Sequence, residues 1–247
     1  MQLTVVGCGD AFGSGGRLQT CYHVAAGDSC FLIDCGATAL IGLERAGLRP
    51  NRVGTIVISH LHGDHFAGLV WWLLHAQHIG RRDEPLEVIG PAGIEARFNS
   101  AAEALFPGST GVARRFALSF REFRAGERLS AGIGAITPFA VSHPSGSLSA
   151  ALRIEAAGRT LAFSGDTEWV DALVDCAADA DLYIAECYAY ARTVRYHTNW
   201  STLSANLERI TARRIMLTHM SHDMLENRHR IAHPRVLLAE DGLVVDV

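Results

Sequence analysis

The sequence predicts a mixed α/β protein in which sheets are sandwiched together and covered by helices. Short apolar, β-rich runs alternate with segments of helical period along the chain, and they fall into two halves that each carry strands and helices. A length of 247 residues supplies one domain with an ample core, so residues 1–247 are read as a single unit.

Leu3 to Val6, Cys21 to Ala25 and Phe31 to Ile33 read as strands separated by Gly-rich turns. Thr55 to Ile58 is wholly apolar or β-branched, as expected of a strand buried on both faces. After it come His60 to His65, and then Phe66, Leu69, Val70, Leu73 and Leu74 at helical spacing. Leu86 to Ile89 is a strand stopped by Gly90-Pro91, and Ile94 to Leu105 is a helix. Arg115 to Arg128 is ambiguous. Ile133 to Val141, Ala150 to Glu155 and Thr160 to Phe163 form a meander. Val170, Leu173, Val174 and Ala177 mark a helix, and Leu182 to Ala185 a strand. Ser201 is the expected cap of a helix carrying Leu203, Leu207 and Ile210, and Ile215 to Thr218 is a further strand.

The charge balance, 22 Lys plus Arg against 26 Asp plus Glu for a net −4, argues against a broad surface for nucleic acid or anionic membrane. The pairs Arg81/Arg82 and Arg213/Arg214 read as solvated faces. Met1 to Asp10 lacks a basic leader region and reads as a first strand, and no run of about 18 apolar residues is present to span a membrane. Six cysteines without any Cys-x-x-Cys pattern read as reduced, partly buried thiols, which points to a cytoplasmic setting. Trp71 and Trp72 read as core packing, with a homodimer contact or a pocket wall as the alternative.

Twelve histidines are many for such a chain. His60-Leu61-His62-Gly63-Asp64-His65 puts three of them and an aspartate within six residues. In an extended loop His60 and His62 project to one side and close on one cation. Asp64 and His65 sit at the turn into a helix and serve a neighbouring cation, with Gly63 giving the backbone freedom to turn. As plain core, such a segment would desolvate several polar groups to no purpose. His143, Asp166 and His219 each follow a strand-like run, and ligands at strand ends converge on one edge of the sheets.

On these residues the chain resembles the metallo-β-lactamase fold superfamily, hydrolase branch, over nearly its whole length. The His-x-His-x-Asp-His motif is His60, His62, Asp64 and His65, and the later single-residue motifs are His143, Asp166 and His219. Val6-Gly7-Cys8-Gly9-Asp10, Ile33-Asp34-Cys35-Gly36 and Gly90-Pro91-Ala92-Gly93 are similar to the ribonuclease Z and cyclic-phosphodiesterase group. The resemblance implies a four-layer αββα sandwich. It also implies two divalent ions, zinc first, with manganese or iron also compatible. His60, His62 and His143 would hold one ion, Asp64, His65 and His219 the other, and Asp166 would bridge them. Asp34 reads equally as an acceptor behind a ligand histidine and as a turn former.

Glu186, in Ala185-Glu186-Cys187-Tyr188, and His197, in Tyr196-His197-Thr198-Asn199, resemble the proton-handling Glu and His of ribonuclease Z, although Ala185 stands where that family has His. With Asp64 they make up the expected catalytic residues. The implied chemistry is hydrolysis by a hydroxide between the two ions, with His197 donating to the leaving oxygen or holding the non-bridging oxygens. Arg192 and Arg195 each read as surface arginines, with phosphate contacts as the alternative. Only 22 residues separate His143 from Asp166, enough for a hairpin and too few for the tRNA-binding arm that ribonuclease Z often inserts there. A small, possibly cyclic, phosphodiester is therefore the expected substrate. tRNA 3′ processing and lactone, thioester or sulfate-ester hydrolysis are alternatives, and a non-catalytic metal-binding protein stands behind them.

Overall fold

A computed structural model describes residues 1–247. Its strands are β1 (Gln2–Gly7), β2 (Cys21–Ala26), β3 (Ser29–Ile33), β4 (Val53–Val57), β5 (Leu86–Gly90), β6 (Leu118–Glu122), β7 (Leu129–Ala131), β8 (Gly134–Ala140), β9 (Ala150–Ala156), β10 (Arg159–Phe163), β11 (Leu182–Glu186), β12 (Ile215–Thr218), β13 (Val236–Leu238) and β14 (Val244–Asp246). The α-helices are α1 (Ala39–Arg45), α2 (Gly63–Phe66), α3 (Gly68–His78), α4 (Ile94–Leu105), α5 (Ala172–Ala177), α6 (Trp200–Ala205) and α7 (His222–Asn227). None is long and apolar enough to cross a membrane.

The strands form two seven-stranded sheets, ordered β14-β1-β2-β3-β4-β5-β6 and β13-β12-β11-β10-β9-β8-β7. Each sheet is half antiparallel and half parallel: β3 to β6 run parallel in the first, and β10 to β13 in the second. Period-two alternation divides the side chains between the two faces of each sheet. Leu3, Val5, Tyr22, Val24, Val57, Leu152, Phe163 and Ile184 meet between the sheets. Leu32, Ile56, Ile58 and Val88 point outward under α1, α3 and α4. Ala162, Tyr183, Ala185 and Leu217 do the same under α5, α6 and α7. Helix, sheet, sheet, helix is thus the observed order of layers, as the sequence predicts.

Several local expectations are corrected. The ambiguous stretch contains β6, which pairs only with β5 at the sheet edge and is half exposed, so its pattern is weak. The expected Ser201 cap belongs to Asn199, whose side chain accepts the Thr202 N–H at 2.8 Å. Gly63 sits inside α2 without a left-handed backbone, and a Cβ there would touch only Ala67 at 3.9 Å, so the turn does not need its freedom. Trp72 is buried in the core, and Trp71 is half-buried against Phe106.

Arg82 is not solvated but 1% exposed. Its guanidinium donates to the carbonyls of Glu84, Asn51 and Pro85 at 2.7, 2.8 and 2.5 Å. The same group lies 5.6 and 5.7 Å from the ring centroids of Trp72 and Phe116. Three backbone acceptors and two aromatic rings replace water, so no acid partner is required. Arg82→Ala is expected to cost about 2–4 kcal/mol in urea unfolding, by stranding the carbonyls and opening a cavity, and Arg82→Lys to recover less than half of that loss.

Candidate metal centre

Parallel strands end at one edge, and the site is built there. The C-terminal ends of β3, β4, β10, β11 and β12 deliver Asp34, the His60–His65 segment, Asp166, Glu186 and His219, while the loop after β8 delivers His143. Register keeps neighbours level: Phe163 pairs with Ile184, and Glu186 with Thr218. The first sheet therefore supplies the contiguous motif, and the second supplies the three isolated ligands.

Two donor sets result. His60, His62 and His143 form one, with ring centroids 4.8 to 5.0 Å apart and His143 Nε2 lying 2.9 Å from His62 Nδ1. Asp64, His65, Asp166 and His219 form the other. In it His65 Nε2 is 3.3 Å from Asp64 and 3.2 Å from Asp166, and His219 Nε2 is 3.2 and 3.4 Å from the same carboxylates. Asp166 Oδ2 also lies 3.9 Å from both His60 Nε2 and His143 Nε2, so this one carboxylate reaches both sets.

These residues fit divalent ions. Ligands about 2.1 Å from a tetrahedral zinc sit about 3.4 Å from one another, which falls inside the observed spread. The buried Nε2 atom of His60 has no hydrogen-bond partner in the protein, as a ligand lone pair requires, and that of His65 faces the carboxylates of Asp64 and Asp166. Burial, reinforced by neighbouring imidazoles, lowers the pKa of His60 and His62 and keeps them neutral. Burial also opposes charge on His65 and His219, but Asp166 and Asp64 outweigh it, raising His65 well above the usual range and His219 to about 10. The same imidazoles hold Asp64 and Asp166 far below the ordinary carboxylate range against their burial. A bound cation takes over this charge balance from the two protons.

Behind the donors, Asp34 accepts from His65 Nδ1 at 2.6 Å, and the Tyr196 carbonyl accepts from His143 Nδ1 at 3.0 Å. Burial raises the Asp34 carboxyl, opposed by His65 and by the two donors of Ser59. Asp34 and His219 adopt left-handed φ of 58° and 56°, and Gly165, just before Asp166, one of 58°. Gly36 and Gly68 allow close backbone approach: a Cβ on Gly36 would lie 2.3 Å from the Asp64 carbonyl, and one on Gly68 2.1 Å from the Gly36 carbonyl.

Glu186 is buried, and its Oε2 accepts the backbone N–H groups of Thr167 at 2.7 Å and Thr198 at 3.3 Å. Its Oε1 accepts from His197 Nδ1 and lies 3.6 Å from His219 Nδ1. Burial lowers the His197 imidazolium, yet the hydrogen bond to Glu186 prevails and raises it overall. The His197 ring stacks on Tyr188 at 4.6 Å and stands 5.0 Å from His143 and 5.9 Å from His219. Arg192 and Arg195 are exposed, and Arg195 lies over the Tyr196 ring. All nine expected site residues thus converge. Sequence reasoning missed Ser59, Thr167, Tyr188 and the Tyr196 carbonyl; only Ser59, beside the motif, carries a local signal.

Residues 1–241 match the family described as Anti-Pycsar protein Apyc1. Over 256 aligned residues the chain is 25% identical to the probable metallo-hydrolase YhfI of Bacillus subtilis (strain 168), covering 99% of each. Ribonuclease Z of Bacteroides fragilis is 37% identical over 94 residues, which are 38% of this chain and 31% of that enzyme. The crystal structure of human short-form tRNase Z superposes with a TM-score of 0.80 at 24% identity, over 100% of this chain and 99% of that one. Fold, site and relatives together define a metal-dependent hydrolase of the metallo-β-lactamase superfamily, in its ribonuclease Z-like branch. Within that class the chain belongs to the Anti-Pycsar Apyc1 family.

Zinc added to the metal-free chain is expected to raise its unfolding temperature progressively, with about 2.7 kcal/mol gained at a hundredfold excess over the dissociation constant. Asp166→Asn, read in the same thermal scans, is expected to lose most of that gain.

Proposed function

We propose that residues 1–247 form one dinuclear metallohydrolase domain that cleaves small phosphodiesters, cyclic nucleotides among them. The observation that carries this reading is the Glu186–His197 pair set directly beside the two donor sets. His60, His62 and His143 would hold one ion and Asp64, His65 and His219 the second, with Asp166 reaching residues of both sets. Zinc suits the nitrogen-rich set, and manganese or iron suits the same donors. When bound, such ions lower the pKa of a water from about 15.7 toward about 7 and neutralise charge on a phosphoryl group.

The protein's own groups do the rest. Glu186 binds His197 Nδ1, which leaves Nε2 as the atom free to face substrate, and this bond raises the His197 pKa against the opposing effect of burial. From there Nε2–H donates to the leaving oxygen as the ester bond breaks, or holds a non-bridging oxygen while charge builds. The backbone N–H groups of Thr167 and Thr198 fix Glu186, so the acid cannot rotate away with its carboxylate. Asp64 faces the Nε2 atoms of His65 and His219 and would share the second ion with them.

The chain between His143 and Asp166 supports the small-substrate reading. The loop Pro144 to Ser149 and the β9–β10 hairpin consume this stretch, and no arm projects from it. The local match to ribonuclease Z supports tRNA 3′ processing as the second reading, although it spans 31% of that enzyme.

Loaded with zinc or manganese, the protein is expected to hydrolyse bis(p-nitrophenyl) phosphate and cyclic nucleotides faster than precursor tRNA. His197→Ala is expected to lower kcat on phosphodiesters by about 10²–10⁴ while changing lactone opening far less. A loaded enzyme inert toward every phosphodiester would overturn the assignment, and a lactone, thioester or sulfate-ester panel would then identify the bond.

A further inference from the structure

Asp34 does more than face one ligand. It is fully buried, and its Oδ1 accepts the Ser59 backbone N–H at 2.7 Å. Its Oδ2 accepts two further donors, the Ser59 hydroxyl at 2.8 Å and His65 Nδ1–H at 2.6 Å. The Ser59 oxygen also lies 3.1 Å from His60 Nδ1. A serine hydroxyl has one proton, and here a carboxylate takes it. Toward His60 the same oxygen can therefore only accept, which places a proton on His60 Nδ1 and leaves Nε2 with its lone pair. That Nε2 is the buried atom without a protein partner. Ser59 has little freedom to rearrange, because its carbonyl accepts the Ala150 N–H at 3.2 Å. A Cβ on Gly165 would sit 3.4 Å from its own Cβ.

We propose that Ser59 is a positioning residue that relays the charge of Asp34 to His60, so that one buried carboxylate fixes the ring orientation and donor nitrogen of a ligand in each ion site. The inference rests on the ligand assignment made above. His60 belongs to one donor set and His65 to the other. His143 has a separate support in the Tyr196 carbonyl. The two sites are thereby coupled through protein, from behind the ligands, independently of Asp166 between them.

The test has two readouts besides activity. Nitrogen-resolved NMR of the metal-free chain is expected to show His60 protonated at Nδ1 and bare at Nε2, and Ser59→Ala to shift it toward the opposite tautomer. In calorimetric zinc titrations, Ser59→Ala is expected to weaken one binding step tenfold or more, the usual scale for a group supporting a ligand, and leave the other within about twofold. Asp34→Asn is expected to weaken both steps, and Ser59→Thr, which keeps the hydroxyl, to restore the parent values. A His60 proton on Nε2, or equal loss at both steps or at neither in Ser59→Ala, overturns the relay. A parent chain that takes up no zinc overturns the ligand assignment alone, since the tautomer of the metal-free chain decides the relay without any ion. If Asp34→Asn does not fold, the parent spectrum and Ser59→Ala carry the decision.

Discussion

A carboxylate buried as deeply as Asp166 must be met by positive charge or by donors, and the catalytic edge is organised around that requirement. Four imidazoles lie within 3.9 Å of its oxygens. Removing His65 or His219, the two whose pKa Asp166 helps to raise, leaves charge that the apolar interior between the sheets cannot absorb. Placing Asp166 there depends on β10 lying between β9 and β11, on the turn at Gly165, and on the sandwich holding the loops of both sheets face to face. The same requirement recurs one layer back, where Asp34 is met by three donors, and again at Glu186, where backbone N–H groups and His197 serve.

Backbone conformation is strained at these points. Asp34, Tyr196 and His219 all hold left-handed φ although none is glycine. Residues of this kind persist only where surrounding structure over-determines them. For His219 the determinants are visible: its N–H is bound to the Cys8 carbonyl at 3.0 Å, and the preceding Thr218 hydroxyl contacts Tyr22 at 2.5 Å. The tie runs from one sheet to the other, so the ligand's backbone is held by the inter-sheet core rather than by its own loop.

What the sequence disclosed follows the reach of its local signals. Strands buried on both faces, such as β4, and the contiguous His60–His65 motif carry their evidence within a few residues. His143, Asp166 and His219 were legible because each closely follows a strand and because the family resemblance orders them. Arg82 was misread since nothing beside it in sequence announces that Asn51, Glu84 and Pro85 will present carbonyls to it. The half-exposed edge strand β6 and the three-residue strands β13 and β14 lack a pattern long enough to detect. Ser59 sat beside the motif in plain view, yet its value depends on Asp34, 25 positions away, arriving at hydrogen-bond distance.

The division of ligands between the sheets has a mechanical side. His60, His62, Asp64 and His65 come from the first sheet, and His143, Asp166 and His219 from the second, so neither sheet owns a complete donor set. An ion bound in either set is a removable cross-link between the halves of the sandwich, closing long loops of chain in the way a disulfide does, though with bonds that re-form without an oxidant. The apolar core docks the halves and an ion adds to that docking, so a chain whose sheets have slipped apart has no complete donor set with which to hold one.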